Sequence, residues 1–129
     1  MNDPKLYAET CHEFTGRVVT KLLTEYIKKM TWKTGDRVLD VGCGPGIMTK
    51  ELLMPRLPED FGVLVGADLR ADNIQYASET YTHPKLRFTE FDLAEDIGDT
   101  SQLQPSDFDK IFSSFCLHLI PDQRYYLAI

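Results

Sequence analysis

Val38-Leu39-Asp40-Val41-Gly42-Cys43-Gly44-Pro45-Gly46 decides the fold. An apolar run ends in an acid, and three glycines follow at alternate positions. In an α/β domain that order reads as a buried strand entering a glycine turn at the start of a helix, where the backbone lets a nucleotide-like ligand approach. The spacing discriminates between ligands. A dinucleotide fingerprint, G-x-G-x-x-G, would put its third glycine at position 47, where Ile47 stands. The pattern here is G-x-G-x-G, which makes a nicotinamide oxidoreductase a distant alternative.

Working outward, apolar residues recur at Val18, Val19, Leu22, Leu23, Tyr26, Ile27 and Met30. That spacing predicts a helix over Thr15 to Met30 with one apolar face. Lys33-Thr34-Gly35-Asp36 reads as a turn. Strand one is predicted at Arg37 to Val41 and a helix from Gly46 to Met54, stopped by Pro55 and Pro58. Strand two runs over Gly62 to Asp68, apolar throughout, as a strand covered on both faces should be. A second helix spans Ala71 to Tyr81 and strand three Lys85 to Phe91. An acidic, turn-rich stretch from Asp92 to Asp107 leads to strand four, Phe108 to Phe115. Pro121-Asp122 opens a further helix, with Asp122 as N-cap. Strands alternating with helices predict an α/β fold, a parallel sheet with helices on both faces. One domain fills residues 1–129, with N-terminal helices or a lid over 1–35 and the core over 36–129. The pattern at Ile129 is still apolar and lacks a C-cap glycine, so the sequence reads as cut in mid-fold.

Bulk properties narrow the function. The chain has 129 residues, enough for one core. Its net charge of −6 argues against a general nucleic-acid or acidic-membrane surface and in favour of a small-molecule partner. Cys11, Cys43 and Cys116 are scattered and form no C-x-x-C, which fits a reducing compartment. The N-terminus does not read as a signal peptide, and the longest apolar run, Phe61 to Ala67, is too short to span a bilayer. A soluble, cytoplasmic protein is expected. Cys116-Leu117-His118, with Cys43 or Cys11-His12, fits no zinc spacing, and no metal site is expected. Ser113 and Ser114 lack the G-x-S-x-G turn of a nucleophile.

Four stretches carry a resemblance. They are Asp40-Val41-Gly42-Cys43-Gly44-Pro45-Gly46, then Gly66-Ala67-Asp68-Leu69-Arg70, then Glu90-Phe91-Asp92-Leu93-Ala94, and last Asp109-Lys110-Ile111-Phe112-Ser113-Ser114-Phe115. Each is similar to a motif of the class I S-adenosyl-L-methionine (AdoMet) methyltransferases. The resemblance implies a Rossmann-like fold, incomplete here, with about four of the family's seven strands. It also implies AdoMet as cofactor. The glycine turn at Gly42, Cys43, Gly44 and Gly46 would let the backbone approach the amino-acid tail and ribose. Asp40 would face the cationic amino group. Asp68, roughly 20 residues beyond the last glycine, would accept from the ribose diol, with Leu69 beside it. Asp92 would meet the adenine amino group and Leu93 the ring, while backbone near Ser113 would approach the donor side. Plainer readings stand beside these: a tight turn for the glycines, a helix cap for Asp68, a solvated loop acid for Asp92, packing for Cys43.

A narrower resemblance rests on Pro4-Lys5-Leu6-Tyr7, Met30-Thr31-Trp32, Gln75-Tyr76-Ala77 and Phe112-Ser113-Ser114-Phe115-Cys116-Leu117-His118. These are similar to arthropod juvenile hormone acid methyltransferases. The implied reaction is methyl transfer to the carboxylate of a farnesoic-acid-like isoprenoid by in-line displacement. A carboxylate is already anionic near neutral pH and needs no general base. His118 would orient the acceptor, act as base for a neutral one, or simply be a hydrogen-bonded helix-start histidine. Tyr7 to Phe14 would lie over the cofactor as a lid. Two positions depart from that family: Phe14 stands where a glutamine holds the substrate carboxylate, and Leu119 where a tryptophan follows the histidine. A class I enzyme for another small molecule, and a non-catalytic AdoMet-binding module, are the alternatives.

Overall fold

The computed structural model describes residues 21, 23–91 and 107–113. Arg37–Val41 forms strand β1, Val63–Asp68 β2, Leu86–Glu90 β3 and Lys110–Phe112 β4. Residues 23–29 form helix α1 and Ala71–Thr80 form α2. Between β1 and β2 lies an irregular helix over residues 47–56.

The four strands lie side by side in the order β3-β2-β1-β4, every neighbouring pair parallel. The register sets Asp40 opposite Gly66 and Phe112, and Gly66 opposite Phe88. From β1 the chain steps outward through β2 and β3, then returns to the other side of β1 for β4. The order therefore reverses beside β1, and in open α/β sheets ligands bind outside the carboxyl ends of the strands at such a reversal. Asp40 and the glycine turn lie at that place.

Why β1 and β2 are apolar follows from two buried faces. Strand side chains alternate between faces. Val38, Leu64, Leu86 and Phe112 join Leu23 and Ile27 of α1 and Leu52 and Leu53 of the irregular helix in one core cluster. Leu39, Val41, Ala67 and Phe91 form a second, with Val65, Phe108 and Ile111 packed against it. Val38 and Leu64 are fully buried and Leu39 nearly so; burying each such side chain contributes about 1.5–3 kcal/mol. The described helices all serve the first cluster or pack α2 on β2 and β3. The helix expected from Pro121 lies outside the described residues, as do the acidic stretch 92–106 and the N-terminal part of the first predicted helix.

Three local expectations shift. The helix after the glycine turn is not a plain α-helix. It widens into a π-turn over Thr49–Leu53, where the Met54 N–H donates to Thr49 O, and tightens to a 3₁₀ turn over Met54–Arg56. Pro55 is the cause: it offers no N–H, and its ring would collide with the Glu51 carbonyl in a continuing α-turn. Tyr26, assigned to the apolar face of the first helix, is 43% exposed. Strand two begins at Val63, one residue late, and the Gly62 N–H before it donates across to Asp36 O, the residue before β1, at 2.8 Å.

At the amino end of the sheet Asp36 is buried just before β1. Its Oδ2 accepts from the Lys33 N–H and from Lys110 Nζ of β4, both at 3.0 Å. Lys110 Nζ also lies 4.9 Å from the Trp32 ring centroid. These donors hold the Asp36 carboxyl below the usual carboxylate range, the Lys33 backbone bond first and Lys110 second, against an opposing effect of burial. This end is a closed clasp between β1 and β4.

Candidate ligand site at the carboxyl end of the sheet

Asp40 is the acid of β1. Its Oδ2 accepts from Thr49 Oγ1 at 2.6 Å, and Thr49, in the π-turn, is fully buried. Asp40 is partly exposed as a residue, yet its carboxyl is packed among protein atoms. Desolvation pushes its pKa up from 3.8 to about 6; the Thr49 hydroxyl opposes that rise, and the charge of Asp68 adds to it. No cation is among the groups that shift it.

The turn that follows is built on left-handed glycines. Gly42, Gly44 and Gly46 have φ of +76°, +57° and +90°, and an L side chain is strained there. The N–H groups of Gly42 and Cys43 both donate to Ala67 O, at 2.6 and 3.0 Å, fastening the turn to the end of β2. Gly46 is constrained twice. A Cβ on it would come within 2.8 Å of Ala77 Cβ and 2.9 Å of the Phe88 ring. Gly66 in β2 meets a similar limit, since a Cβ there would lie 2.7 Å from Phe88 and 3.1 Å from Cys43 Sγ. The turn thus settles onto β2 and β3 through Cys43, which is buried and whose Sγ donates to Gly44 O at 3.4 Å. Packing is the observed role of this thiol.

Asp68 ends β2. Its Oδ2 accepts from the Arg70 N–H at 3.2 Å and from Asn73 Nδ2 at 3.0 Å, and its Oδ1 from the Gly44 N–H at 3.4 Å. Asp68 does more than cap α2. Arg70 occupies the cap position, without a side-chain cap bond, and the carboxylate of Asp68 reaches across to the glycine turn. Leu69, beside it, is 61% exposed, an apolar side chain presented at the site rather than to the core. Ser113 follows β4 directly and is buried. The Asp40–Phe112 register carries it to the same end of the sheet.

Asp40, Gly42, Cys43, Gly44, Gly46, Asp68, Leu69 and Ser113 are therefore gathered at one end of one sheet. Asp92, Leu93 and His118 lie outside the described residues, as do Phe14, Leu119 and the 7–14 segment. Two residues that sequence reasoning did not single out belong to the site: Thr49, which holds Asp40, and Asn73, which holds Asp68. The only sequence signal for Asn73 was its type, since asparagine is a poor helix-interior residue. Thr49 gave none. Among the described residues no three His, Cys, Asp or Glu side chains group as a metal site requires, and no helix is long and apolar enough to cross a membrane.

This geometry has known counterparts. Among curated relatives, the juvenile hormone acid O-methyltransferase of Bombyx mori is 34% identical over 125 residues, which is 96% of this chain and 43% of that protein. An mRNA cap guanine-N(7) methyltransferase of Cryptococcus neoformans is 29% identical over 120 residues, 82% of this chain and 19% of that one. Among solved structures, the plantazolicin methyltransferase BpumL in complex with SAH matches with a TM-score of 0.61 at 25% identity, over 90% of this chain and 41% of its own. The chain spans less than half the length of these relatives. The four-stranded parallel sheet with its helices is the Rossmann-like arrangement of such enzymes. Residues 38–129 match the family described as a methyltransferase domain, a span that takes in the glycine turn, both acid-ended strands and β4, and the chain belongs to that family.

Proposed function

We propose that this chain carries the AdoMet-binding half of a methyltransferase whose acceptor is a small molecule. The observation that carries the reading is the charge balance at the carboxyl end of the sheet. Two carboxylates on adjacent parallel strands flank a turn of left-handed glycines, and among the described residues no cation compensates Asp40. Burying such an acid is costly unless something positive meets it. AdoMet offers an ammonium for Asp40, hydroxyls for Asp68 and an adenine face for Leu69, and its tail suits a turn without Cβ atoms. Asp92 and Leu93 complete the adenine contact and Ser113 the donor side in this reading. AdoMet, when bound, supplies a methyl group on a sulfonium, which an acceptor oxygen takes by in-line attack as the thioether leaves.

The acceptor we favour is an isoprenoid carboxylic acid of the farnesoic type, supported by the likeness to the Bombyx mori enzyme along 96% of this chain. An ionised carboxylate attacks without a base, so His118 has an orienting role. The related cap methyltransferase is the reason to test the small-molecule acceptor directly. A cytoplasmic setting is supported by Cys43, a buried thiol at the centre of the turn.

Calorimetric titration of AdoMet, with Asp68→Ala as control, tests the cofactor reading. Saturable binding that weakens by tenfold or more in the variant is expected, since a hydrogen bond to a charged group is worth about 1.5–3 kcal/mol. A natively folded chain that takes up no AdoMet overturns it. For the acceptor, labelled methyl transfer to farnesoic acid but not to farnesol is expected; transfer to capped RNA instead would redirect the assignment.

A further inference from the structure

Asn73 is the most unusual side chain in α2. It is fully buried, and its Oδ1 has no hydrogen-bond partner among the described residues. A buried acceptor without a partner destabilises a fold, and an apolar residue of the same shape would remove that cost. Asparagine is also a weaker helix former than leucine, methionine or alanine. On stability grounds alone, then, position 73 is poorly filled. Its one side-chain hydrogen bond among the described residues points to another reason. Nδ2 donates to Asp68 Oδ2 at 3.0 Å, five residues back across the β2–α2 connection. The amide orientation is dictated by that carboxylate: turned over, Oδ1 would face a carboxylate oxygen and the amide N–H groups would lose their acceptor.

We propose that Asn73 is a positioning residue for Asp68. Together with the Arg70 N–H at 3.2 Å it saturates Oδ2. The carboxylate is thereby turned so that Oδ1, held among the described residues only by a 3.4 Å contact from the Gly44 N–H, is the oxygen left to accept from a ligand hydroxyl. The Asp68 side chain is aimed before ligand arrives, and the unsatisfied Asn73 Oδ1 is the stability forgone for that aim. This inference rests on the AdoMet reading above, because it concerns how that site grips a diol.

The test is a cycle between protein and ligand. S-adenosylhomocysteine and its 2′,3′-dideoxy analogue are titrated calorimetrically into the full chain and into Asn73→Leu, and both proteins are melted. Expected is a loss of about tenfold in affinity for S-adenosylhomocysteine, a change under about twofold for the dideoxy analogue, and an unchanged or raised Tm. Asn73→Ala, which removes the amide without adding volume, carries the same comparison should leucine not be accommodated. Equal losses for both ligands, or no loss for either, overturn the proposal, since a merely structural residue does not sense the hydroxyls. Failure of the unmodified, folded chain to bind S-adenosylhomocysteine overturns the underlying AdoMet reading as well, and so is told apart from failure of the Asn73 role alone.

Discussion

Asp36 lies just before β1 and Asp40 near its carboxyl end, yet the protein treats them in opposite ways. At the amino end Asp36 meets a backbone N–H and the Lys110 ammonium, and its carboxyl is held ionised. At the carboxyl end Asp40 meets, among the described residues, the Thr49 hydroxyl, with Asp68 as a like-charged neighbour, and burial raises its pKa to about 6. Both carboxylates are removed from water, and among the described residues only Asp36 is given a counter-charge. A sheet end that neutralises its own acid is a clasp. One that leaves its acid without a described counter-charge is where the proposed AdoMet ammonium would bind.

The sharpest way to break the ligand end is Gly46→Ala. The residue would be strained at φ +90° and its Cβ would press on Ala77 and Phe88. Left-handed strain and overpacking together cost about 3 kcal/mol, read as a lower urea midpoint. That is a large share of a stability of about 5–15 kcal/mol. Asp40→Asn comes next and has the opposite sign. With the folded pKa raised from 3.8 to about 6, the protonated acid's advantage is fully present below pH 3.8 and lost as pH rises through about 6. The unliganded protein is accordingly less stable at neutral pH by on the order of 3 kcal/mol at most. Asp40→Asn raises Tm at pH 8, has little effect near pH 4, and weakens AdoMet binding at pH 8. In the unmodified chain, AdoMet affinity falls as pH drops below about 6 and the partner of the ammonium is neutralised. Affinity independent of pH from 5 to 8 would remove Asp40 from the site.

What made Asp40, Asp68 and the glycine turn legible is that their constraints are local. An acid at a strand end and glycines at alternate positions declare themselves within a few residues, as does the apolar run of a strand buried on both sides. Thr49 and Asn73 were not legible, because each is defined by a carboxylate on another element, nine and five residues away in sequence. Gly66 stands within a motif, but its reason, the closeness of Phe88 and Cys43, exists only once β3 and the turn have packed. The break in the helix was legible at Pro55. Its form, a π-turn that delivers Thr49 to Asp40, was not, since proline forbids the α-turn without choosing its replacement. The placement of β4 beside β1 likewise depends on contacts such as Lys110 with Asp36, which no periodicity reveals.

At the clasp end the expected effect is smaller. Asp36→Asn removes the Lys110 counter-ion, and Lys110 is then left largely buried over Trp32. Because the folded pKa of Asp36 is lowered, its contribution is present above the unfolded value of 3.8 and is lost as pH falls through the lower folded value. Asp36→Asn therefore lowers Tm at neutral pH and converges with the unmodified chain in strong acid. The sign is the reverse of Asp40→Asn. Melting both variants from pH 3 to pH 8 should give two difference curves of opposite sign, and curves of the same sign would mean that the two ends are not electrostatically distinct.

Thr49→Val is the mildest change and asks how much of the ligand end's tolerance for charge comes from one hydroxyl. Valine keeps the shape and removes the donor 2.6 Å from Asp40 Oδ2. The hydroxyl stabilises the charged carboxyl, so its loss lets the pKa of Asp40 climb further above about 6. At pH 8 the variant loses about 1 kcal/mol of stability, the ordinary net worth of such a bond. Near pH 4 Asp40 is protonated with or without the hydroxyl, and most of that difference disappears. Carboxyl chemical shifts followed through a pH titration would report the climb directly. If the Asp40 midpoint stays put in Thr49→Val, desolvation alone sets it, and the π-turn serves only to end the helix before Pro55. If it rises, the irregular turn has a function at the site: it brings in a donor that helps Asp40 remain ionised for the proposed ammonium.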